Sequence, residues 1–341
     1  MKRCLYCYEN ITKSNSGESG FHYGCSRKFF HEPLPPEFPY TLDDIAKLAA
    51  KIVKNRFAIT GVQPKLSLKI AKSIKDKSRN KNAGLLSKEL KIPSRLTILG
   101  VPGNYILKPP SDEYPDLPEI EHLSMKLAEL SNISTVPNTL IFMKDGTRTY
   151  LTRRIDRVNG KNGIVKIHME DMCQLTNRMT EDKYKGSHEK IARTIKEFSV
   201  NPLLDVINFY EMVLFSFLTG NADMHLKNFS LIKDPRFKGN RTGYILSPAY
   251  DMVSTALVIN DDEELALTLN GKKRKITRND FETALTTIGV HEKSIENIFK
   301  KFETLAPIWS KCIRKSFLPS KLKTLLTSII HARMDAMYLE S

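Results

Sequence analysis

Two polar residues five positions apart, Asp223 and Asn228, stand in the segment Gly220-Asn221-Ala222-Asp223-Met224-His225-Leu226-Lys227-Asn228-Phe229-Ser230. The segment follows an apolar run, so polar groups crowd just where the apolar pattern stops. Phosphoryl transfer needs a carboxylate near the attacking hydroxyl and oxygen ligands that hold Mg2+ against the phosphates. Asp223 and Asn228 have the D-x-x-x-x-N spacing of a kinase catalytic loop. Twenty-three residues after Asn228 comes Asp251, inside Ser247-Pro248-Ala249-Tyr250-Asp251-Met252-Val253, an apolar setting that suits a second metal ligand. The spacing alone is equally that of a capped loop behind a helix.

Residues upstream add to the pattern. Ile106-Leu107-Lys108-Pro109 puts a lysine at the end of an apolar strand, where its ammonium can reach nucleotide phosphates, and Glu121 in the following helix can pair with it. A snorkelling surface lysine and an exposed glutamate would read the same way. The turn Ala58-Ile59-Thr60-Gly61-Val62-Gln63-Pro64-Lys65 precedes a strand and is the one candidate phosphate loop, with a single glycine.

A separate chemistry stands at the N-terminus. Cys4-x2-Cys7 followed by His22-x2-Cys25 offers four soft ligands at knuckle-like spacing, adequate for tetrahedral Zn2+; three reduced cysteines and a surface histidine are the alternative. The stretch holds too little apolar content to fold alone. Cys173 and Cys312 fall within helical patterns and read as buried thiols.

The elements that must position these groups divide into three parts. Residues 1–45 form a Cys-rich module that ends in Pro33, Pro35, Pro36 and Pro39. Residues 46–155 carry short β-rich runs (Lys65–Leu68, Tyr105–Lys108, Tyr150–Arg153) and one helix near Pro118–Leu130. Residues 156–341 are dominated by helical patterns, with a buried helix at Leu203–Leu218, then Ile295–Leu305 and Leu322–Met337. A β-rich lobe followed by a larger helical lobe is an α+β arrangement.

Bulk properties limit the function classes. The chain of 341 residues carries 53 Lys and Arg against 38 Asp and Glu, a formal charge of +15 that favours phosphate-rich or acidic partners. Nine basic residues lie between Lys69 and Arg95, and Lys272-Lys273-Arg274-Lys275 forms a second run. Neither interleaves aromatics, so charge alone does not define a nucleic-acid-binding protein. The longest apolar stretch is interrupted by Asp205, Asn208 and Glu211, which excludes a membrane span, and the first residues lack a secretion signal. A cytoplasmic location is expected.

Six segments in this order, T-G-V-Q-P-K-L (60–66), Y-I-L-K-P (105–109), I-D-R (155–157), E-D-M-C-Q (170–174), G-N-A-D-M-H-L-K-N-F-S (220–230) and P-A-Y-D-M-V-S (248–254), resemble the HipA family of serine/threonine kinases. The 220–230 stretch is most similar to the HipT branch, whose members lack the N-terminal subdomain of full-length HipA. The resemblance implies a two-lobed protein-kinase-like fold and a toxin that phosphorylates an aminoacyl-tRNA synthetase. It implies a helix-turn-helix, HipB-like antitoxin, with DNA reached only through that antitoxin, and a separate small HipS-like protein in place of the missing subdomain. Carried over by position, Asp223 is the catalytic carboxylate and Asn228 and Asp251 are the Mg2+ ligands. Thr60, Gly61, Val62, Gln63, Lys65, Lys108, Arg153, Arg154, Ile155, His225, Lys227, Asn228, Tyr250 and Asp251 are the ATP contacts. Thr60 is the loop hydroxyl open to autophosphorylation. The chain departs from the family at Thr152-Arg153-Arg154-Ile155, where glutamate and arginine before an aromatic are commoner, and at Ala58-Ile59-Thr60, where two serines are usual. A lipid or small-molecule kinase would carry the same ATP machinery, and a non-enzymatic DNA-bound co-repressor is the remaining alternative.

Overall fold

The computed structural model describes residues 2–16, 19–54, 65–71, 94–98, 103–160, 163–234, 237, 243–259 and 263–338. The chain divides into two compact units, one of Met1–Asp112 with Pro137–Arg154, the other of Glu113–Val136 with Ile155–Ser341. The expected α+β class is the one found.

The first unit is built on five antiparallel strands, β1 (Leu66–Ala71), β2 (Arg95–Ile98), β3 (Tyr105–Lys108), β4 (Asn138–Phe142) and β5 (Arg148–Arg153), in the order β2-β1-β3-β5-β4. The strands expected around Leu66, Tyr105 and Tyr150 are β1, β3 and β5. Leu66, Leu68, Leu96, Leu107, Leu140, Tyr150 and Leu151 are buried. Burying each such side chain contributes roughly 1.5–3 kcal/mol. Helices α1 (Lys13–Ser16), α2 (Tyr23–Phe30) and α3 (Leu42–Lys54) precede the sheet. Thr41 and Asp44 bond reciprocally at the start of α3, the Thr41 amide to Asp44 Oδ2 at 2.9 Å and the Asp44 amide to Thr41 Oγ1 at 3.1 Å. The low-apolar N-terminal segment finds its core by packing on the sheet. Phe21, Phe29 and Phe30 form edge-on pairs, and Phe29 meets Tyr105 of β3 at 5.9 Å between centroids.

The second unit takes in α4 (Leu117–Leu130), although sequence order places that helix among the strands. It continues through the hairpin β6 (Arg157–Gly160) and β7 (Gly163–Lys166), β8 (Met169–Asp171), α5 (Met172–Leu175), α6 (His188–Phe198) and α7 (Pro202–Leu218). Then come β9 (Ser230–Lys233), β10 (Tyr244–Leu246), α8 (Arg278–Thr287), α9 (Glu292–Glu303), α10 (Ala306–Lys315) and α11 (Ser320–Tyr338). The strands β10-β9-β8 form a small antiparallel sheet that the helical pattern after residue 165 did not announce. Helix α7 is buried along most of its length and matches the expected Leu203–Leu218 run. Trp309 of α10 packs on Phe215 of α7 at 5.7 Å, and its Nε1–H donates to Ser131 Oγ at 3.1 Å, which ties the end of α4 to α7. Cys173 is buried, whereas Cys312 is only half-buried, a correction to its reading as a core thiol. No described helix is long and apolar enough to cross a membrane.

His188, at the start of α6, is enclosed by Phe209 and Phe229, and neither ring nitrogen has a hydrogen-bond partner. Burial pulls its pKa from 6.5 down to about 3. The folded pKa lies below the unfolded one, so the unfolded state takes up the proton first. The contribution to stability is therefore complete above pH 6.5 and declines as pH falls through the window to about 3. Relative to His188→Leu, the wild type should lose ~1.4 kcal/mol per pH unit across that window. Urea denaturation at a series of pH values tests this, and parallel curves for the two proteins would refute it.

Candidate active site

The sequence places Asp223 and Asn228 behind α7, and the fold explains why the chain turns there. Gly220 sits at φ +69°, and a Cβ added to it would lie 2.9 Å from the Ala256 Cβ. Both the backbone conformation and the close approach call for glycine. The amides of Thr219, Asn221 and Gly220 close the end of α7 on the carbonyls of Phe215, Ser216 and Phe217, and the carbonyls of Thr219 and Gly220 are taken up by the chain beyond Asp251. Ser254 Oγ donates to the Thr219 carbonyl at 2.7 Å, and the Ala256 amide donates to the Gly220 carbonyl at 3.0 Å. Thr255 Oγ1 in turn accepts from the Ala222 amide at 2.9 Å. The hairpin β9–β10 does the rest: its pairing of Leu231 with Leu246 returns the chain, and the Ser247 amide bonds to the Ser230 carbonyl at 2.9 Å. Two motifs 23 residues apart in sequence thus start and finish one hairpin.

Within the loop, Asn228 is buried, and its Nδ2 donates to the Asp223 backbone carbonyl at 2.9 Å. This leaves Asn228 Oδ1 as the acceptor end of the amide. The Asp223 side chain is 49% exposed, open enough for an incoming group to reach it. Tyr184 O–H donates to Asp223 Oδ1 at 2.6 Å, and His225 Nε2 lies 4.0 Å from the same oxygen. Burial lowers the His225 pKa, against the pull of the Asp223 and Asp251 charges, so the ring is neutral at pH 7. The Tyr184 hydroxyl is held protonated by burial and by its bond to Asp223. Lys227 Nζ pairs with Asp171 Oδ2 at 2.7 Å. Tyr250 O–H donates to the Lys227 carbonyl at 2.9 Å, and Tyr250 and Ser230 share a hydroxyl bond. Asp251 stands at φ +58°, an uncommon conformation for a residue with a side chain and one that collects at functional sites.

The second unit therefore gathers Asp223, His225, Lys227, Asn228, Tyr250 and Asp251. In the first unit, Lys108 ends β3, with its Nζ 5.5 Å from the Tyr150 ring centre. Lys65 precedes β1, Arg153 ends β5, and the Arg154 amide bonds to the Asn104 carbonyl at 2.8 Å. Ile155 begins the return into the second unit. Thr60, Gly61, Val62 and Gln63 lie outside the described residues, as does most of the basic stretch between Lys69 and Arg95. Two partners were missed in sequence. Asp171 was visible inside E-D-M-C-Q but had no signal for its bond to Lys227, and Tyr184 lies in a loop without periodicity.

The N-terminal candidates also converge. The ligand atoms of Cys4, Cys7, His22 and Cys25 all lie within 4.8 Å of one another. The set is made of donors suited to a soft or borderline divalent ion.

Comparison with known proteins decides the family. Residues 57–309 match the HipA-like C-terminal domain family. The chain belongs to it. It is 32% identical over 254 residues to the putative kinase Y4dM of Sinorhizobium fredii, across 71% of this chain and 54% of that protein. It is 27% identical to the serine/threonine-protein kinase toxin HipA of Shewanella oneidensis, across 64% of this chain and 47% of the toxin. The chain spans about half the length of these curated relatives. Its fold is similar to that of the Shewanella oneidensis MR-1 HipA, HipB and operator DNA complex, with TM-score 0.65 and 18% identity over 88% of this chain and 71% of that one. As a member of the HipA-like C-terminal domain family, the chain has its D-x4-N loop and Asp251 segment inside the matched residues.

Gly220→Ala would force an L side chain into the left-handed region and against Ala256. It should destabilise the second unit by about 1–3 kcal/mol. Equilibrium urea unfolding followed by tryptophan fluorescence, which reports on Trp309, is the measurement; an unshifted midpoint would contradict the reading of this turn.

Proposed function

We propose that this chain is an ATP- and Mg2+-dependent serine/threonine protein kinase acting as the toxin of a toxin–antitoxin pair. One observation carries the reading: Asn228 Nδ2 is tied to the Asp223 carbonyl, so a half-exposed carboxylate and a free amide oxygen leave one loop together. In this reading Asp223 orients a substrate hydroxyl and takes its proton on a carboxylate oxygen. The hydroxyl oxygen bonds to the γ-phosphorus as the bond to the ADP oxygen breaks. Tyr184, donating to Asp223, fixes the carboxylate's orientation. Asn228 and Asp251 are the residues that would hold Mg2+, which supplies neutralising charge at the phosphates. Lys227, Tyr250 and the neutral His225 stand beside them as nucleotide contacts. The family resemblance assigns Lys65, Lys108, Arg153, Arg154 and Ile155 to the nucleotide, and Thr60 to autophosphorylation.

The finer parts of the proposal rest on the same resemblance. The phosphate acceptor is a bacterial protein, an aminoacyl-tRNA synthetase. The neutralising partner is a HipB-like helix-turn-helix antitoxin, the kind of partner named in the similar Shewanella oneidensis complex. A HipS-like small protein completes the assembly, which works in the cytoplasm.

Asp223→Ala should lower phosphotransfer by about a hundredfold or more and abolish growth inhibition while the protein stays folded. Phosphoproteomics of host cells after brief induction, wild type against variant, identifies the acceptor and maps any phosphate on Thr60. Growth arrest by a stably expressed Asp223→Ala protein would sink the proposal.

Asp251→Asn keeps a residue that tolerates the left-handed backbone and removes only the charge. Binding of Mg2+–ATP should weaken roughly tenfold or more. Isothermal titration calorimetry checks this, and unchanged affinity would make Asp251 a structural residue only.

A further inference from the structure

We propose that Cys4, Cys7 and Cys25 bind one structural Zn2+ through their sulfurs and His22 through Nδ1, and that the ion holds a clamp on the edges of the five-stranded sheet. The site owes nothing to the kinase reading. It begins as two short segments. Cys4 and Cys7 flank a tight turn closed by the Tyr8 amide on the Cys4 carbonyl at 2.9 Å, with Tyr8 itself at φ +65°. Amides of His22 and Tyr6 point at the Cys4 sulfur, and the amide of Glu9 at that of Cys7. Such N–H groups satisfy sulfur lone pairs that a metal leaves over. The second segment opens α2, whose residue Cys25 faces the first pair, and the two are tied by the Leu5 amide on the Gly20 carbonyl at 3.0 Å.

His22 fixes the choice of ligand atom. It occupies the position before α2, yet its side chain makes no capping bond to the helix. Its Nε2 lies 3.0 Å from the Asn10 carbonyl, which can only accept, so Nε2 carries the hydrogen. Nδ1 is left with its lone pair, 3.4 Å from the Cys7 sulfur and 3.7 Å from the Cys25 sulfur. A histidine that donates one nitrogen to a carbonyl and turns the other to the cluster has the arrangement of a metal ligand with its supporting partner. Three sulfurs and one nitrogen, with no further donor needed, make a closed tetrahedral set. On binding, the thiol protons leave to solvent.

The clamp follows from what the two segments touch. Edge strands expose unpaired amides and carbonyls, and proteins cover them. At one edge the Leu140 amide of β4 points to the Leu5 carbonyl at 3.4 Å, between Cys4 and Cys7. Gly20 lies so close that a Cβ there would sit 3.4 Å from the Phe142 ring of β4 and 3.3 Å from Leu5. At the other edge Glu37 bonds on both sides of Arg95 in β2, its amide to the Ser94 carbonyl at 2.8 Å and its carbonyl to the Leu96 amide at 2.9 Å. One N-terminal segment thus covers both borders of the sheet, and the ion fixes the end that reaches β4.

The test uses the full chain, purified without a metal-binding tag from zinc-supplemented cells. Elemental analysis should find about one zinc per chain, kept in Cys173→Ser and Cys312→Ser and lost in Cys25→Ser. His22→Ala should weaken zinc binding by about a hundredfold or more, beyond the ~10–100-fold cost of losing a supporting partner alone. If Cys25→Ser does not fold, cobalt(II) exchanged into the wild type should give tetrahedral bands with thiolate charge transfer. Chelation should speed hydrogen exchange at Leu140 while the Gly220–Phe229 loop keeps its rate. Metal-free wild type with slow-reacting thiols, a disulfide within the cluster, or full affinity in His22→Ala would overturn the site. Unchanged exchange at Leu140 after zinc removal would overturn the clamp.

Discussion

A buried helix that ends in the interior must find partners for its last carbonyls and for those of the turn that follows, and in the second unit that requirement organises the chemistry. Helix α7 is apolar nearly all round and ends at Leu218, and the turn residues Thr219 and Gly220 that follow are buried, away from water that could solvate them. The turn's own amides bond the carbonyls of Phe215, Ser216 and Phe217, while the carbonyls of Thr219 and Gly220 find partners in Ser254, Thr255 and Ala256, which lie three to five residues past Asp251. Satisfying this buried turn therefore brings the Asp251 segment to the Asp223 loop, and the hairpin β9–β10 is the length of chain that makes the return possible. The position of the acidic groups is a consequence of backbone bookkeeping as much as of side-chain chemistry.

The local environment then differentiates groups of the same type. Asp223 is half-exposed and held by a tyrosine hydroxyl, whereas Asp171 is spent on Lys227 and Asp205 on the Ser199 hydroxyl and the Leu246 amide. Three carboxylates of equal intrinsic acidity end in one accessible and two structural positions. His225 and His188 show the same sorting: both are pushed towards the neutral form by burial, but only His225 has a carboxylate beside it.

Much of this was legible in the residues. The break from apolar run to polar cluster at Gly220 located the loop, period-two runs located β1, β3 and β5, and the cysteine spacing located the N-terminal cluster. What escaped depends on partners distant in sequence. The pairing of β8 with β9 joins residues some sixty positions apart, and four- or three-residue strands carry almost no periodic signal. Tyr184 reaches Asp223 across 39 residues, and α4 packs away from its sequence neighbours because Trp309 draws it towards α7. The cluster at Cys4 is legible as spacing, but the orientation of His22 is set by the Asn10 carbonyl, which has no side-chain signature.

The cover over β4 has a consequence for how the chain comes to be folded. Leu5 and Thr139 meet across 134 residues of sequence. At a synthesis rate of about 5–20 residues per second, the N-terminal segment leaves the ribosome roughly 7–27 s before its strand partner exists. During that interval its aromatic side chains have no sheet to rest on, and contacts of such long range form slowly. The nascent chain thus carries this thiol- and aromatic-bearing segment without its sheet for that interval. That segment is where holdases would be expected to act, and where aggregation would begin in a cell that lacked them.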